Sequence, residues 1–180
     1  MNILAINGSP RKNGSTAQLL EAAIQGAAGA GGRMTGIIHL SEYDFKGCLS
    51  CYGCKDPDIG CEGLCIRQDT MTPVYESIRD GAVVFLGSPV YYHYLSGLMK
   101  NFLERLLFPY HTQGADIPEN VRVALILTMS QTEENYYKRG YDRTFGVIAD
   151  SLKQTFGNCE QLNIYDTYHF VDDEKIRIRS

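Results

Sequence analysis

Several features that are common in exported and membrane proteins are missing from this sequence. No run of apolar residues approaches the roughly 20 that are needed to span a bilayer. The first residues, Met1–Ile6, carry neither the basic start nor the small-residue cleavage site of a secretion signal. We therefore expect a cytoplasmic protein that contacts no membrane, in which the cysteines are not paired in structural disulfides.

An excess of positive charge is missing as well. The formal net charge of the 180 residues is −4, which argues against nucleic acid as the main partner. The sequence has no internal repeat, linker or low-complexity segment. Its 44% hydrophobic and 21% charged residues are typical of a globular chain. This balance predicts one domain over residues 1–180 with a sizeable core.

Short apolar runs alternate with amphipathic stretches along most of the chain. The runs predict five strands, and the stretches between them show the helical spacing of apolar residues. Continuous apolar strands joined by helices indicate a doubly wound, three-layer α/β fold with a parallel sheet in the order 2-1-3-4-5. In that order a ligand binds at the switch between strands 1 and 3. The predicted strands are 2–7, 35–40, 82–87, 121–128 and 161–165, and the predicted helices are 15–28, 71–79, 96–108 and 142–156.

The loop after the first predicted strand has the composition of an anion site. It leads into a helix N-terminus, where free backbone N–H groups and the helix dipole attract a dianion, and Ser15 or Thr16 is the predicted N-cap. Its glycine spacing matches neither a Walker A loop nor a dinucleotide-binding loop. A plainer alternative is a polar turn before a well-capped helix. The candidate phosphate ligands are Ser9, Arg11, Asn13, Gly14, Ser15 and Thr16.

A second loop follows the third predicted strand and begins with Ser88. Pro89 fixes the direction of the chain as it leaves the strand. Backbone amides around residues 90–93 suit the polar edge of a flavin ring, and one of two tyrosines is placed to pack on its face. The histidine of this loop either touches the flavin or a substrate, or is structural. The candidate ring ligands are Pro89, Val90, Tyr91, Tyr92 and His93.

Together the two loops resemble those of the NADPH-dependent FMN reductase and iron–sulfur flavoprotein families. Asn7-Gly8-Ser9-Pro10-Arg11 through Gly14-Ser15-Thr16 resembles their FMN phosphate loop. Ser88-Pro89-Val90-Tyr91-Tyr92, followed by Ser96-Gly97-Leu98-Met99-Lys100, resembles their flavin-ring loop. The resemblance covers residues 2 to about 130. It implies a flavodoxin-like fold, bound FMN and a homodimer or homotetramer.

The stretch after the fourth predicted strand departs from this family pattern. Many relatives carry a glycine-rich turn there, whereas this chain has Thr128-Met129-Ser130-Gln131-Thr132 and then two tyrosines, Tyr136 and Tyr137. We expect a polar loop over Met129–Gly140, with the tyrosines covering the flavin, a subunit interface or the edge of the domain. The charged tail 172–180 is expected to be peripheral.

Five of the six cysteines lie in a cysteine-rich insertion at about residues 44–70. Thiolates are the usual ligands of iron–sulfur clusters, and three cysteines at x2 spacing can wrap one face of a cluster. The resemblance implies a [4Fe–4S] cluster whose fourth ligand is Cys61 or its rival Cys65. Zinc, and no metal at all, are the alternatives. The ligand set favoured by spacing is Cys48, Cys51, Cys54 and Cys61.

The function predicted from these motifs is redox chemistry carried by FMN, so no side chain is nominated as catalytic. The first hypothesis is an iron–sulfur flavoprotein in which FMN exchanges electrons with the cluster and, as in the related proteins, with a ferredoxin-like partner. The second is an NAD(P)H-dependent FMN or quinone reductase without a cluster. The third is a non-catalytic flavin-binding or thiol redox-sensing module.

Overall fold

The structure is a computed structural model that describes residues 1–59, 64–111, 118–172 and 175–179. Helices alternate with strands up to Ile164, and a pair of short strands follows. The strands are β1 (Asn2–Asn7), β2 (Arg33–His39), β3 (Ala82–Tyr91), β4 (Tyr94–Leu95), β5 (Arg122–Thr128), β6 (Glu160–Ile164), β7 (Tyr168–Asp172) and β8 (Lys175–Arg179). The α-helices are α1 (Ser15–Gly29), α2 (Thr72–Arg79), α3 (Gly97–Leu107), α4 (Glu133–Lys138) and α5 (Tyr141–Phe156). Three single 3₁₀ turns cover Leu40–Glu42, Gly53–Lys55 and Phe108–Tyr110.

The main sheet has the order β2-β1-β3-β5-β6, and every neighbouring pair along this path is parallel. The two-residue strand β4 pairs only with β3, in antiparallel fashion. Counted without β4, the order is the predicted 2-1-3-4-5. The flavodoxin-like, doubly wound fold is therefore confirmed, and β1 and β3 meet at its switch point.

Side chains of β1 alternate between two apolar cores, one on each face of the sheet. Ile3 and Ala5 pack with Leu20 and Ile24 of α1. Leu4 and Ile6 belong to the larger core, which α2, α3 and α5 cover. Both faces of the sheet are buried, which is why its central strands read as continuous apolar runs in the sequence. This arrangement gives the three predicted layers.

Two segments differ from the sequence prediction. Residues 133–138, expected within a polar loop, form α4. The Thr132 hydroxyl caps this helix by accepting a hydrogen bond from the Asn135 N–H, and two glutamates occupy its first turn. The end of the chain, for which no strand was predicted, forms the antiparallel pair β7–β8, and β8 lies in the charged tail 172–180. Thr167, just before β7, joins this end to the β5 edge because its N–H donates to the Met129 carbonyl over 2.9 Å.

The cysteine loop, residues 44–70, contains only the 3₁₀ turn Gly53–Lys55 among its described residues, as expected for an irregular insertion. No helix in the described ranges is both long and apolar enough to cross a membrane.

Candidate functional site

A cavity of about 220 Å³ lies where the carboxyl ends of β1, β3 and β5 meet. The two loops singled out from the sequence form most of its wall, together with the end of β5 and a residue from the connection to β7. Its lining residues are Ser9, Arg11, Gly14, Ser15, Thr16, Pro89, Val90, Tyr91, Thr128, Met129, Ser130 and Thr167. The fold thus brings the predicted phosphate loop and the predicted ring loop together at the switch point.

Hydrogen bonds within the protein hold the phosphate loop, residues 8–16, in its conformation. The Asn7 carboxamide oxygen accepts from the Ser9 N–H over 2.9 Å, and the Ser9 hydroxyl accepts from the Arg11 N–H over 3.1 Å. The Gly8 N–H donates to the Gly87 carbonyl over 2.8 Å. A Cβ on Gly8 would lie 2.8 Å from the Cβ of Met99, so only glycine fits at this crossing.

The N-cap of α1 is Gly14, in an extended conformation, and neither Ser15 nor Thr16 as predicted. Glycine has no side chain with which to cap the first N–H groups of the helix. No acidic residue lies in this first turn. The first backbone N–H groups of α1 and the positive end of the helix dipole therefore border the cavity, an arrangement that suits a phosphate group.

Ser96 connects the two loops. Its hydroxyl donates to the Gly8 carbonyl over 2.7 Å and accepts from the Met99 N–H over 3.1 Å, which caps α3. Its own N–H donates to the Ser88 hydroxyl over 3.1 Å. Ser88 and Ser96 are both fully buried. One buried residue thus fixes the spacing between the phosphate loop and the start of the ring loop.

The floor of the cavity includes residues that the sequence reasoning did not nominate. The Thr16 and Thr128 hydroxyls are hydrogen-bonded over 2.8 Å and both are buried, which ties α1 to the end of β5. Met129 and Ser130 follow in the wall. Their position at the carboxyl end of a strand next to the switch point is the signal that could have identified them.

The ring loop forms a tight hairpin between β3 and β4. Tyr91 pairs with Tyr94, and the two residues between them, Tyr92 and His93, have φ angles of 49° and 72°. Such a left-handed two-residue turn normally holds Asn and Gly, so this turn is strained. The His93 Nδ1 is hydrogen-bonded to the Tyr141 hydroxyl, which anchors the turn to α5.

The predicted ring ligands divide between two adjoining cavities. Tyr91 lines the 220 Å³ cavity, whereas Tyr92 and His93 line a neighbouring cavity of about 150 Å³. Val90, among others, lines both. The Tyr92 side chain is 98% exposed, and Asn13 lies outside both linings.

A third and larger cavity, of about 410 Å³, lies between α3 and α5. Leu103, Leu107, Phe108 and Ile148 give it an apolar floor, and Cys48 reaches its rim from the cysteine loop. We call it the α3–α5 cavity. The sequence pattern did not predict this cavity, because it is formed by helices that lie far apart in the sequence.

Four described residues of the cysteine loop are free thiols: Cys48, Cys51, Cys54 and Cys65. Cys51 is exposed and the other three are half-buried. Burial raises the pKa of Cys54, and the nearby Cys65 and Cys48 raise it further. Cys61, the fourth predicted ligand, lies outside the described residues. Within the described ranges no three His, Cys, Asp or Glu side chains are placed to hold a metal ion, so the predicted ligand set stays a prediction.

The sixth cysteine, Cys159, packs against the larger core. Burial and the nearby Glu160 raise the pKa of its thiol to about 11. A thiol with such a pKa is a poor nucleophile and a poor ligand at neutral pH. Cys159 lies just before β6, an edge strand of the main sheet, and lines neither of the two cavities at the switch point.

Most of the chain matches one known protein family. Residues 1–134 match the family model of the NADPH-dependent FMN reductases. An iron–sulfur flavoprotein of Archaeoglobus fulgidus is 33% identical over 105 residues, which are 58% of this chain and 48% of that protein. One of Clostridioides difficile is 31% identical over 138 residues, 68% of this chain and 56% of that protein. The chain thus spans about half the length of the curated relatives it matches.

Solved structures show the same fold at low identity. An NAD(P)H:quinone oxidoreductase from Methanothermobacter marburgensis superposes with a TM-score of 0.74 at 16% identity, covering 97% of this chain and 90% of that one. An FMN-dependent NADH-azoreductase from Bacillus anthracis, solved with FMN, superposes with a TM-score of 0.64 at 9% identity, covering 93% and 88%. At these identities the likeness concerns the fold alone.

Proposed function

The chain belongs to the NADPH-dependent FMN reductase family, and on that premise we propose that it is an FMN-dependent oxidoreductase that exchanges electrons between FMN and an iron–sulfur cluster in the cysteine loop. One observation carries the FMN part of this proposal. The 220 Å³ cavity at the switch point joins an uncapped helix N-terminus to a hairpin loop with exposed tyrosine. Relatives named iron–sulfur flavoproteins support the cluster.

The residues of the phosphate loop fit a dianion. The N–H groups that follow Gly14 lie at the positive end of the α1 dipole. The hydroxyls of Ser9, Ser15 and Thr16 line the same cavity, and Arg11 adds a positive charge at its mouth. A phosphate there receives several hydrogen bonds in a short span, as in other helix N-terminal anion sites.

The hairpin is the proposed contact for the flavin ring. Val90 and Tyr91 line the cavity beside the phosphate loop, so backbone groups there are placed for the polar edge of the ring and the Tyr91 ring for its face. His93 is placed for the adjoining cavity, where Tyr141 orients its imidazole. When bound, FMN supplies the electron exchange itself, so the protein's part is to bind and orient it.

The chemistry of the cysteine loop suits an iron–sulfur cluster, because it presents reduced thiols within one short segment. We propose Cys48, Cys51 and Cys54 as ligands with one further cysteine. The fourth ligand is Cys61, which the spacing favours, or its rival Cys65.

Anaerobic purification tests the proposal. We expect flavin absorption bands over the broad absorption of an iron–sulfur centre, with about four iron and four sulfide per chain. Flavin without iron would refute the iron–sulfur cluster. Protein without flavin would refute the FMN site and with it the whole proposal. Replacing Cys51 by Ala should abolish the iron and leave FMN bound. A Cys159→Ala variant is the matched control and should keep both.

A second candidate is an NAD(P)H-dependent FMN or quinone reductase that uses FMN alone. It is favoured by one observation, that residues 1–134 match the family model of the NADPH-dependent FMN reductases. Stopped-flow mixing with NADPH distinguishes the two. Rapid bleaching of the flavin in iron-free protein would favour this candidate, and reduction by a ferredoxin but not by NADPH would favour the first.

A further inference from the structure

Arg105 of α3 is a buried cation beneath the cysteine loop. Only 2% of the residue is exposed, and its side chain is not exposed at all. A buried charge is costly unless it is paired and hydrogen-bonded. An arginine at this position in the chain therefore requires partners, and all the partners that the structure shows lie in or next to the cysteine loop.

The guanidinium group ties the two ends of the cysteine loop to one point. At the far end it forms a forked ion pair with Asp69, with Nη1 at 2.5 Å from Oδ2 and Nη2 at 3.3 Å from Oδ1, and Nη2 also donates to the Arg67 carbonyl over 3.1 Å. At the near end Nη1 donates to the Lys46 carbonyl over 3.5 Å. The guanidinium carbon, Cζ, also lies 5.3 Å from the centre of the Tyr75 ring and forms a cation–π contact with it.

Neighbouring groups hold the same two ends in register. The Arg67 Nη1 donates to the Gly47 carbonyl over 3.1 Å, which joins one end of the loop directly to the other. The Cys48 N–H donates to a carboxylate oxygen of Glu104, the residue before Arg105, over 3.2 Å. Cys48 and Cys65 thus stand next to anchored backbone, whereas Cys51 between them is exposed.

One donor of Arg105 is left over. Its Nε is buried and has no hydrogen-bond partner within the part of the chain that the structure describes. Burial lowers the pKa of Arg105, but Asp69, Tyr75 and Cys65 together raise it above its ordinary value, so the group stays charged.

We propose that Arg105 is the positioning residue of the cysteine loop. Its planar fork closes the loop at residues 46 and 67–69. This role does not rest on the proposed function, because the contacts to Asp69 and to the two carbonyls exist in the metal-free chain.

Two variants separate the geometry of the fork from its charge. Arg105→Lys keeps the positive charge and removes the fork and the Nε donor. Asp69→Asn keeps Arg105 and removes its charged partner. The matched control is Arg122→Met, which removes an exposed arginine at the start of β5. All are compared with the wild type as reduced, metal-free protein by hydrogen exchange resolved to peptides.

We expect Arg105→Lys to speed exchange at least about tenfold in peptides covering residues 44–50 and 64–71. The phosphate loop, residues 8–16, should exchange at the wild-type rate, which shows that the domain is folded. Asp69→Asn should act at the same two ends, and Arg122→Met at neither. Wild-type exchange at both ends in Arg105→Lys, or faster exchange at one end only, would overturn the proposal.

Anaerobic reconstitution with iron and sulfide tests the consequence for cluster binding, which rests on the proposed function. Iron per chain should fall about tenfold in Arg105→Lys while FMN per chain stays unchanged. Equal iron in Arg105→Lys and the wild type would overturn this consequence. A wild type that takes up flavin but no iron would instead refute the cluster, and the exchange measurement would still decide the role of Arg105.

Discussion

The two loops that are proposed to carry the chemistry are held in place by different means. Main-chain hydrogen bonds and tight packing build the phosphate loop: Gly8 bonds Gly87, and the backbone at Gly8 leaves no room for a side chain against Met99. The described residues of the cysteine loop have almost no regular structure, and the loop is held at its ends by charged side chains, above all Arg105 and Asp69. One site is thus made by backbone shape and the other by a few ionic contacts.

This difference predicts which site is lost first. Steric changes should harm the phosphate loop, whereas changes of charge or pH should harm the cysteine loop without disturbing the other. If both proposed sites are occupied, the protein should then lose its iron and keep its flavin. The experiments below, from the largest expected effect to the smallest, either separate the two sites in this way or show that they depend on each other.

The largest effect is expected from removing the charge of Asp69. Asp69→Asn leaves the Arg105 guanidinium buried without a counter-ion, which costs about 3–5 kcal/mol in the free energy of unfolding at neutral pH. Burial raises the pKa of Asp69, but the hydrogen bonds from Arg105 and from the Met71 N–H outweigh it and hold the pKa below its ordinary value of 3.8. The stabilisation is therefore complete above pH 3.8 and is lost as the pH falls through the lower value of the folded state.

Urea unfolding of wild type and Asp69→Asn between pH 7 and pH 2.5 measures this. The difference between the two should be largest near neutrality and shrink below pH 3.8. Asp80→Asn is the control, since Asp80 is 65% exposed in its ion pair with Arg79 and should change little. A difference that is constant over the whole range would mean that Asp69 does not titrate with folding.

A methyl group on Gly8 tests the shape-built loop. In Gly8→Ala the new Cβ would lie 2.8 Å from the Met99 Cβ and 3.1 Å from the Ser96 hydroxyl oxygen. Overpacking of this kind costs about 2 kcal/mol in stability, and FMN per chain should fall with it. Gly26→Ala is the matched control: no heavy atom lies within 4 Å, so it should be neutral or slightly stabilising. If both substitutions behave alike, tight packing does not define the loop.

A new charge at the helix N-terminus tests the anion site itself. Ser15 is buried in the cavity wall at the start of α1. In Ser15→Asp a carboxylate would face the proposed phosphate, and we expect FMN affinity to fall about tenfold while the exchange of the cysteine loop is unchanged. The measurement is flavin titration followed by fluorescence, with Ser77→Asp on the exposed face of α2 as control. Equal affinity in Ser15→Asp and the wild type would refute the phosphate assignment.

The smallest effect concerns the strained hairpin turn. Tyr92→Asn places a residue that tolerates the left-handed region at φ 49°, and it should raise the free energy of unfolding by about 1 kcal/mol. Because the Tyr92 side chain is 98% exposed, FMN affinity should not change. Tyr91→Asn, at the cavity wall, should lower affinity instead. Loss of affinity in Tyr92→Asn would place that ring on the flavin after all.

Much of this architecture could be predicted from the sequence because apolar periodicity and loop chemistry act locally. The central strands are continuous apolar runs. The phosphate loop could be predicted from its polar residues and its position between a predicted strand and a predicted helix. The extent of β3 was underestimated, because Ser88-Pro89 reads as a strand end. β1 ends at Asn7 opposite Gly87, so Pro89 lies beyond its last residue, where a missing N–H is tolerated.

Long-range contacts explain what the sequence could not reveal. Helix α4 has only six residues, and its fully buried Tyr136 is held by hydrogen bonds from Gln161 and Asn163 of β6. Thr128 enters the cavity through its bond to Thr16, 112 positions away in the chain. In the sequence, Arg105 is an ordinary polar residue of α3. Its contacts with the cysteine loop are visible only in the folded chain. No local pattern contains these pairings.

The β3–β4 hairpin borders two cavities. Val90 and Tyr91 of β3 line the cavity at the switch point, and their cross-strand partners Leu95 and Tyr94 of β4 line the α3–α5 cavity. Two paired strands, about 5 Å apart, thus contribute to the walls of both cavities. A substitution in this hairpin that shifts one wall bears on the other, so the two cavity volumes have to be considered together in any redesign of the protein.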